Sequence, residues 1–422
     1  MVPNGWIKTD LNPFIDIKHG FAFKSEFFRE EGNYVLLTPG SFYEPGGFRD
    51  QKSKTKYYVG DIPKGYLLSK GELLVAMTEQ AAGLLGSTLF VPSHDRYLHN
   101  QRLGLIQIKD KNGICPEFLY LTYNSPYIRK QIAEQSTGTK VKHTSPDKLK
   151  SVICLLPSLP EQRKIAQILS TWDRGIATTE KLINASKQQK KALMQQLLTG
   201  KKRLVDPETG KAFEGDWEEV KLEFLTENTI SNGIYKTAES YSDNGNSAVL
   251  DINCVYKNNI VSIKKARIAN ITNNEIKKYK LEFGDILINR VSLKPDGVGV
   301  AALFNIDSEK NYVYESNLMR IRLIKEKANS EFINFILSSE KSRSEILMKA
   351  NIGAQTSINQ KTVNSLAILL PKFKEQQKIA SVLTAIDKDI ELLEAKLAHL
   401  KQEKKALMQQ LLTGKRRVSL SS

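Results

Sequence analysis

Residues that could carry catalysis are present in this sequence, but not at the spacings catalysis needs. A phosphate-cradling loop requires a glycine five residues ahead of a Gly-Lys pair. The Gly-Lys pairs begin at Gly200, Gly210 and Gly414, and none has that glycine. Transfer of a methyl group to an adenine amine calls for a loop such as Asn-Pro-Pro-Tyr. The nearest approach, Asn12-Pro13-Phe14, lacks the second proline and reads as a turn. A metal-dependent nuclease gathers two acids and a lysine. Residues 216–221 hold a Glu-x-Lys triplet (Glu219 to Lys221), but it follows a polar linker and reads as a solvated edge. His19, His94, His99, His143 and His399 form no His-Glu-x-x-His motif and no pair at helical spacing, so metal catalysis has no support. Cys115, Cys154 and Cys254 are odd in number and far apart, which argues against disulfides and zinc and suits a reducing cytoplasm. The expectation is a chain without catalytic residues, cofactor or metal of its own.

Binding is a better fit. The chain has 422 residues and a net charge of +16. Its length predicts two or three domains, and its charge favours a polyanionic partner, nucleic acid first. The sequence has no run of 18 apolar residues, the length a membrane-spanning helix needs, and residues 1–6 do not read as a secretory signal.

The elements that must position any site come in duplicate. Residues 155–203 and 369–417 align without a gap at an offset of 214, with 27 of 49 positions identical. Each copy follows a proline, places a glutamate early (Glu161, Glu375) and stops at Thr-Gly, as a long capped helix does. From Glu161 to Leu198 is 38 residues, a helix of about 57 Å. The second copy carries a four-three apolar stripe: Ile386, Ile390, Leu393, Leu397, Leu400, Lys404, Leu407 and Leu411. The first copy matches it with Trp172, Ile176, Thr179, Ile183, Ser186, Lys190, Leu193 and Leu197. Such a seam predicts that the two helices pair as a coiled coil.

The regions ahead of the helices repeat only weakly. They read as mixed α/β, with buried strands over 84–91 and 297–304 and amphipathic helices over 116–135 and 330–349. Five segments follow: a globular domain (1–156), a helix (157–204), a linker (205–215), a second globular domain (216–370), and a helix with a basic tail (371–422). The predicted fold class is α+β, an internal repeat of two mixed α/β domains joined by two long helices. A constant helix suits a constant job, and divergent domains suit reading two different sequences.

Glycine-bearing loops with basic and amide neighbours are the candidates for base readout, because glycine admits close backbone approach. Lys and Arg suit guanine, and Asn and Gln suit adenine. In the first domain these are Gly20, Phe21, Lys24 and Ser25, with Thr137, Gly138, Thr139, Lys140, Lys142 and His143. In the second they are Gly233, Tyr235 and Lys236, then Asn289 and Arg290, and Gly353, Gln355, Thr356, Ser357 and Asn359. The loop at Gly138-Thr139-Lys140 parallels Gly353-Ala354-Gln355. Lys187, Lys190, Lys191 and 201–203 recur as Lys401, Lys404, Lys405 and 415–417. They suit phosphate contact or partner docking as well as a solvated helix face.

Over its whole length the chain resembles the specificity subunits of type I restriction-modification systems. The resemblance rests on L-P-x-x-x-E-Q-x-K-I-A and L-L-T-G-K-x-R, each present twice. It implies two target-recognition domains, antiparallel conserved helices in pseudo-twofold relation, and a bipartite double-stranded DNA target. It also implies two adenine-methylating modification subunits and two ATP-dependent translocating restriction subunits in a prokaryotic cytoplasm. S-adenosylmethionine, ATP and Mg2+ belong, on that resemblance, to the partners. An enzyme with an unrecognised site and a scaffold that binds only protein are the competing readings.

Overall fold

The computed structural model describes residues 2–79, 83–139, 141–256 and 259–420. The chain divides into two compact units, Met1–Glu180 with Lys396–Ser422, and Lys181–Ala395. The central helix, Leu159–Leu197, and the C-terminal helix, Phe373–Leu412, each contribute one half to each unit. Both stop where a glycine takes a left-handed backbone, Gly200 at φ +69° and Gly414 at φ +66°, as expected.

In the first unit a four-stranded antiparallel sheet runs in the order Ile15–His19, Leu103–Ile108, Leu73–Ala76, Thr88–Phe90. Beside it is a five-stranded sheet in which Tyr34–Leu37 and Tyr97–His99 pair in parallel. The second unit repeats the plan. Ser231–Asn232, Leu318–Ile321, Ile286–Asn289 and Ala301–Leu303 form the four-stranded sheet, and Ser247–Leu250 pairs in parallel with Asn311–Tyr314. The middle strands of the four-stranded sheets are apolar on both faces, Leu73–Ala76 and Ile286–Asn289 being buried throughout, because a second layer covers each side.

Two expectations about local structure need correction. The strands expected over 84–91 and 297–304 are shorter, Thr88–Phe90 and Ala301–Leu303, because Gly86 and Gly299 turn the chain ahead of them with φ of +77° and +69°. The helices expected over 116–135 and 330–349 are each two: Pro116–Tyr123 with Pro126–Glu134, and Ser330–Ser338 with Glu340–Met348. The break falls on Ser125 and Ser339, whose hydroxyls accept from the amides of Ile128 and Ser342. Each serine starts a new helix as an N-cap, and Pro126 has no amide to continue the old one.

The long helices turn their stripes inward. Of the sixteen stripe positions, Thr179, Ile183, Leu197, Ile390 and Leu411 are buried and the others half-buried, while most of the flanking residues are exposed. Within the first unit Lys404 meets Asp173 at 2.6 Å and Lys401 meets Glu180 at 2.7 Å. Within the second, Lys190 meets Asp387 at 2.5 Å and Lys187 meets Glu394 at 2.6 Å. In each unit one number rises as its partner falls, so the segments run antiparallel. Every pair in one unit is its counterpart in the other, shifted by 214. The basic clusters therefore serve largely as an intramolecular clasp. Lys201, Lys202, Lys405, Lys415 and Arg416 make no ion pair among the described residues.

Each globular core is completed from the other repeat. Leu407, Met408, Leu411 and Leu412 pack with Ile165, Leu169 and Phe118 in the first unit. Leu193, Met194, Leu197 and Leu198 pack with Ile379, Leu383 and Phe332 in the second. Two buried carboxylates lock these ends. Glu161 receives Arg417 through Nε at 2.7 Å and Nη2 at 2.9 Å, and Trp6 Nε1 at 3.1 Å. Glu375 receives Arg203 through Nε and Nη2, both at 2.7 Å. The remaining guanidinium nitrogen donates to the Asn4 carbonyl in one case and the Gly215 carbonyl in the other. The linker itself folds back on itself, with Val205 bridged to Ala212.

Candidate nucleic-acid interface

The four-stranded sheets decide which loops can meet. In the first unit Ile15–His19 and Leu73–Ala76 both pair antiparallel with Leu103–Ile108, so they run in the same direction and end on the same edge. The 20–25 loop leaves the first strand. A two-residue strand, Thr78–Glu79, leaves the second and pairs with Lys142–His143. The second unit does the same with 233–237, with Val291–Ser292, and with Thr356–Ser357. Topology thus gathers the candidate loop groups of each domain at one sheet end, two in the first and three in the second.

Individual residues behave differently within these groups. Phe21, Lys24 and Tyr235 are exposed, as are Thr139, Lys142, His143, Gly353 and Gln355. Lys140 lies outside the described residues. Lys236 is held by Glu275 at 2.9 Å. Asn359 caps the helix Gln360–Asn364 by accepting from the Thr362 amide. Asn289 is buried, donating to the Gly297 carbonyl at 2.7 Å and the Tyr256 hydroxyl at 3.0 Å, and Thr356 is buried too. Arg290 and Ser357 are half-buried.

Gly20 and Gly233 have a structural reason to be glycine. A side chain at Gly20 would lie 1.9 Å from the Asn100 carbonyl oxygen, and one at Gly233 2.1 Å from that of Tyr314. The chain crosses its neighbour backbone to backbone there, with Phe21 N donating to His99 O at 2.8 Å and Ile234 N to Tyr314 O at 2.8 Å. The bridges Thr137–His143 and Asn351–Ser357 also set the two turns in register at 214. Gly138 therefore matches Ile352, not Gly353, one position from the parallel drawn from sequence.

Sequence reading missed two equivalent arginines. Arg129 reaches from its helix to the carbonyls of Glu44, at 3.2 Å, and Gly83. Arg343 reaches those of Asp296, at 2.6 Å, and Val298. Arg343 thereby holds the loop that follows Val291–Ser292, and Arg129 ties Gly83 to Glu44. Their offset is again 214, which is the signal that could have found them inside the divergent domains.

The crossing beside Gly20 also sets a pH response. His99 is fully buried, its Nε2 lies 3.0 Å from the Leu103 carbonyl, and its Nδ1 has no partner among the described residues. Burial holds its pKa down at about 4, below the ordinary 6.5. The folded protein keeps it neutral while the unfolded chain protonates it. Stability is therefore full above pH 6.5 and falls between 6.5 and 4, by up to about 3 kcal/mol. Hydrogen exchange of 103–108 across that range should show the loss. His99→Gln should flatten this part of the profile.

Two equivalent grooves lie elsewhere. One of about 770 Å³ is lined by Ser125, Tyr127, Leu155, Met408 and Leu412. The other, about 650 Å³, is lined by the residues 214 positions away: Ser339, Lys341, Leu369, Met194 and Leu198. Among the described residues no group of three or more His, Cys, Asp and Glu could hold a metal, and no helix is long and apolar enough to cross a membrane.

Two like domains, each carrying variable loops at one sheet end and completed by a constant helix of the other repeat, define a duplicated recognition protein. The chain belongs to the family described as type I restriction modification DNA specificity domain, whose pattern matches residues 3–188 and again 214–402. It is 30% identical over 326 residues to the type I restriction enzyme MjaVIII specificity subunit of Methanocaldococcus jannaschii, covering 74% of this chain and 73% of that one. To the EcoKI specificity subunit of Escherichia coli it is 24% identical over 392 residues, covering 90% and 81%. The crystal structure of a type I restriction-modification S subunit from M. genitalium superposes with a TM-score of 0.60 at 14% identity, covering 100% and 99% of the two chains. A chain from a study of type I complex assembly gives 0.58 at 18% identity, covering 99% and 100%. In this family the chain is the specificity component and is not itself an enzyme.

Proposed function

We propose that each domain reads one half of a bipartite double-stranded DNA target, and that the helices hold the partner subunits. One observation carries this reading: equivalent clasps and cores hold loops of different chemistry at equivalent positions. The first domain's turn is Gly138-Thr139 with Lys142 and His143, and the second's is Ile352-Gly353 with Thr356 and Ser357. The +16 charge suits a phosphate backbone. The paired grooves, lined from the identical 190–201 and 404–415 segments, suit two copies of one partner. On this reading two modification subunits bring S-adenosylmethionine, two restriction subunits bring ATP and Mg2+, and the complex works in a prokaryotic cytoplasm.

The test is a domain exchange. Replacing residues 1–156 with the first recognition domain of another member should change one half of the methylated sequence and leave the other intact. Methylation mapping of a genome carrying the assembled complex reads this directly, and a change in both halves would overturn the modular reading. DNA affinity that fails to weaken with salt would favour a protein-only scaffold.

A further inference from the structure

The three most exposed large apolar side chains among the described residues are Ile352, Met348 and Leu293, at 83%, 80% and 79%. Exposed apolar residues scattered singly call for no explanation. These three share one feature of the second domain. Leu293 follows the strand Val291–Ser292, Ile352 begins the turn that Asn351 and Ser357 close, and Met348 ends the helix leading into it. Ser292 pairs with Thr356, and Asn351 bridges Ser357. Leu293 and Ile352 therefore lie on chain segments two strand spacings apart, about 10 Å, or about three base-pair steps of 3.4 Å.

The support beneath them is fixed. Ser292 Oγ accepts from the Lys294 amide at 3.1 Å and the Tyr256 hydroxyl at 3.0 Å. Asn289 holds the Gly297 carbonyl, and Arg343 holds those of Asp296 and Val298. A loop whose backbone is already pinned loses little freedom on binding, so the backbone that presents Leu293 is pre-organised. Arg290 and Lys294 flank it in sequence and suit phosphate. Among the described residues the first domain offers no matching pair: Gly138 and Glu134 stand where Ile352 and Met348 do.

Resting on the bipartite reading above, we propose that Leu293, Ile352 and Met348 form an apolar reading tip, through which the second domain alone contacts the apolar surfaces of bases in its half-site. Aliphatic side chains do this either against thymine methyl groups or as wedges in an opened base step. A protein partner is disfavoured by the adjoining cations and by the tip's place on the loop end of the sheet.

The test uses the full chain and a duplex carrying its methylation-mapped target. Leu293→Ser with Ile352→Ser should weaken binding at least tenfold, with the thermal melt and the salt dependence unchanged, since no phosphate contact is lost. If uracil in place of thymine in the second half-site reproduces the loss, the contact is to methyl groups. If 2-aminopurine there brightens on binding wild type but not the variant, the contact is an opened step. Either result supports the tip. Wild-type selectivity with variant affinity within twofold overturns the tip alone. So does a variant that keeps its DNA affinity but no longer binds the modification subunit. A wild-type chain without preference for its target over a scrambled duplex overturns the tip and the bipartite reading together.

Discussion

Residues 1–212 on their own should form a symmetric dimer whose target is a palindrome of the first half-site. In the full chain the first core is closed by Leu407, Met408, Leu411 and Leu412. The truncated chain lacks them but retains Leu193, Met194, Leu197 and Leu198, the same residues in the other copy of the repeat. Two truncated chains can exchange these ends. Lys190 then meets Asp173 of the second copy, Lys187 meets Glu180, and Arg203 meets Glu161, so each clasp contact of the full chain has a substitute. A twofold axis satisfies both ends at once. The polar Thr179, Ser186 and Lys190 at the seam weaken the association, so it should depend on concentration. Light scattering across a dilution series tests the first step, and methylation mapping with the modification subunit tests the second. A chain that stays monomeric at high concentration would refute the exchange.

Severing the carboxylate locks should cost more in the second unit than in the first. Arg417→Met leaves Glu161 with its Trp6 hydrogen bond. Arg203→Met leaves Glu375, 1% exposed, with no side-chain donor among the described residues, since Trp217 Nε1 makes no hydrogen bond. An unpaired buried charge costs about 3–5 kcal/mol. Arg417 is half-exposed, so water can reach the carboxylate it leaves. We expect the smaller loss for Arg417→Met, and about 4 kcal/mol for Arg203→Met. For units of this size the latter lowers Tm by about 10 °C. Adding Glu375→Gln to Arg203→Met should recover part of the loss, because it removes the stranded charge. Equal losses in the two single variants would show that Trp6 contributes nothing to its lock.

What could be read in the sequence was what repeats or alternates locally. The 214 offset, the inward stripe from Trp172 to Leu197 and its copy, and the stops at Gly200 and Gly414 all follow from short-range periodicity or backbone stereochemistry. Long-range closure was hidden. Nothing near Leu411 says that it completes a core built from Trp6 to Leu169. The lysines of the clasp looked equally suited to phosphate until their antiparallel partners were in place. Gly20 looked like a loop glycine because the backbone that crosses it, at His99 and Asn100, is remote in sequence. Among the site candidates Asn289 and Thr356 have reader-like chemistry, but they face inward and support the loops. Leu293 and Ile352 escaped notice because apolar residues suggest a core until their exposure is known.

The contacts at Asn4 and Gly215 have a topological meaning. Arg203 to Gly215 and Arg417 to Asn4 are one joint made twice. Peptide bonds cross the first, through the folded-back linker, and only side chains and packing cross the second. In contact space the two repeats form a closed cycle, and the linker's covalent role reduces to keeping its ends at high local concentration. That is an entropic service which varies slowly with linker length, whereas the geometry of the joint resides in the arginine, the carboxylate and the tryptophan that recur on both sides.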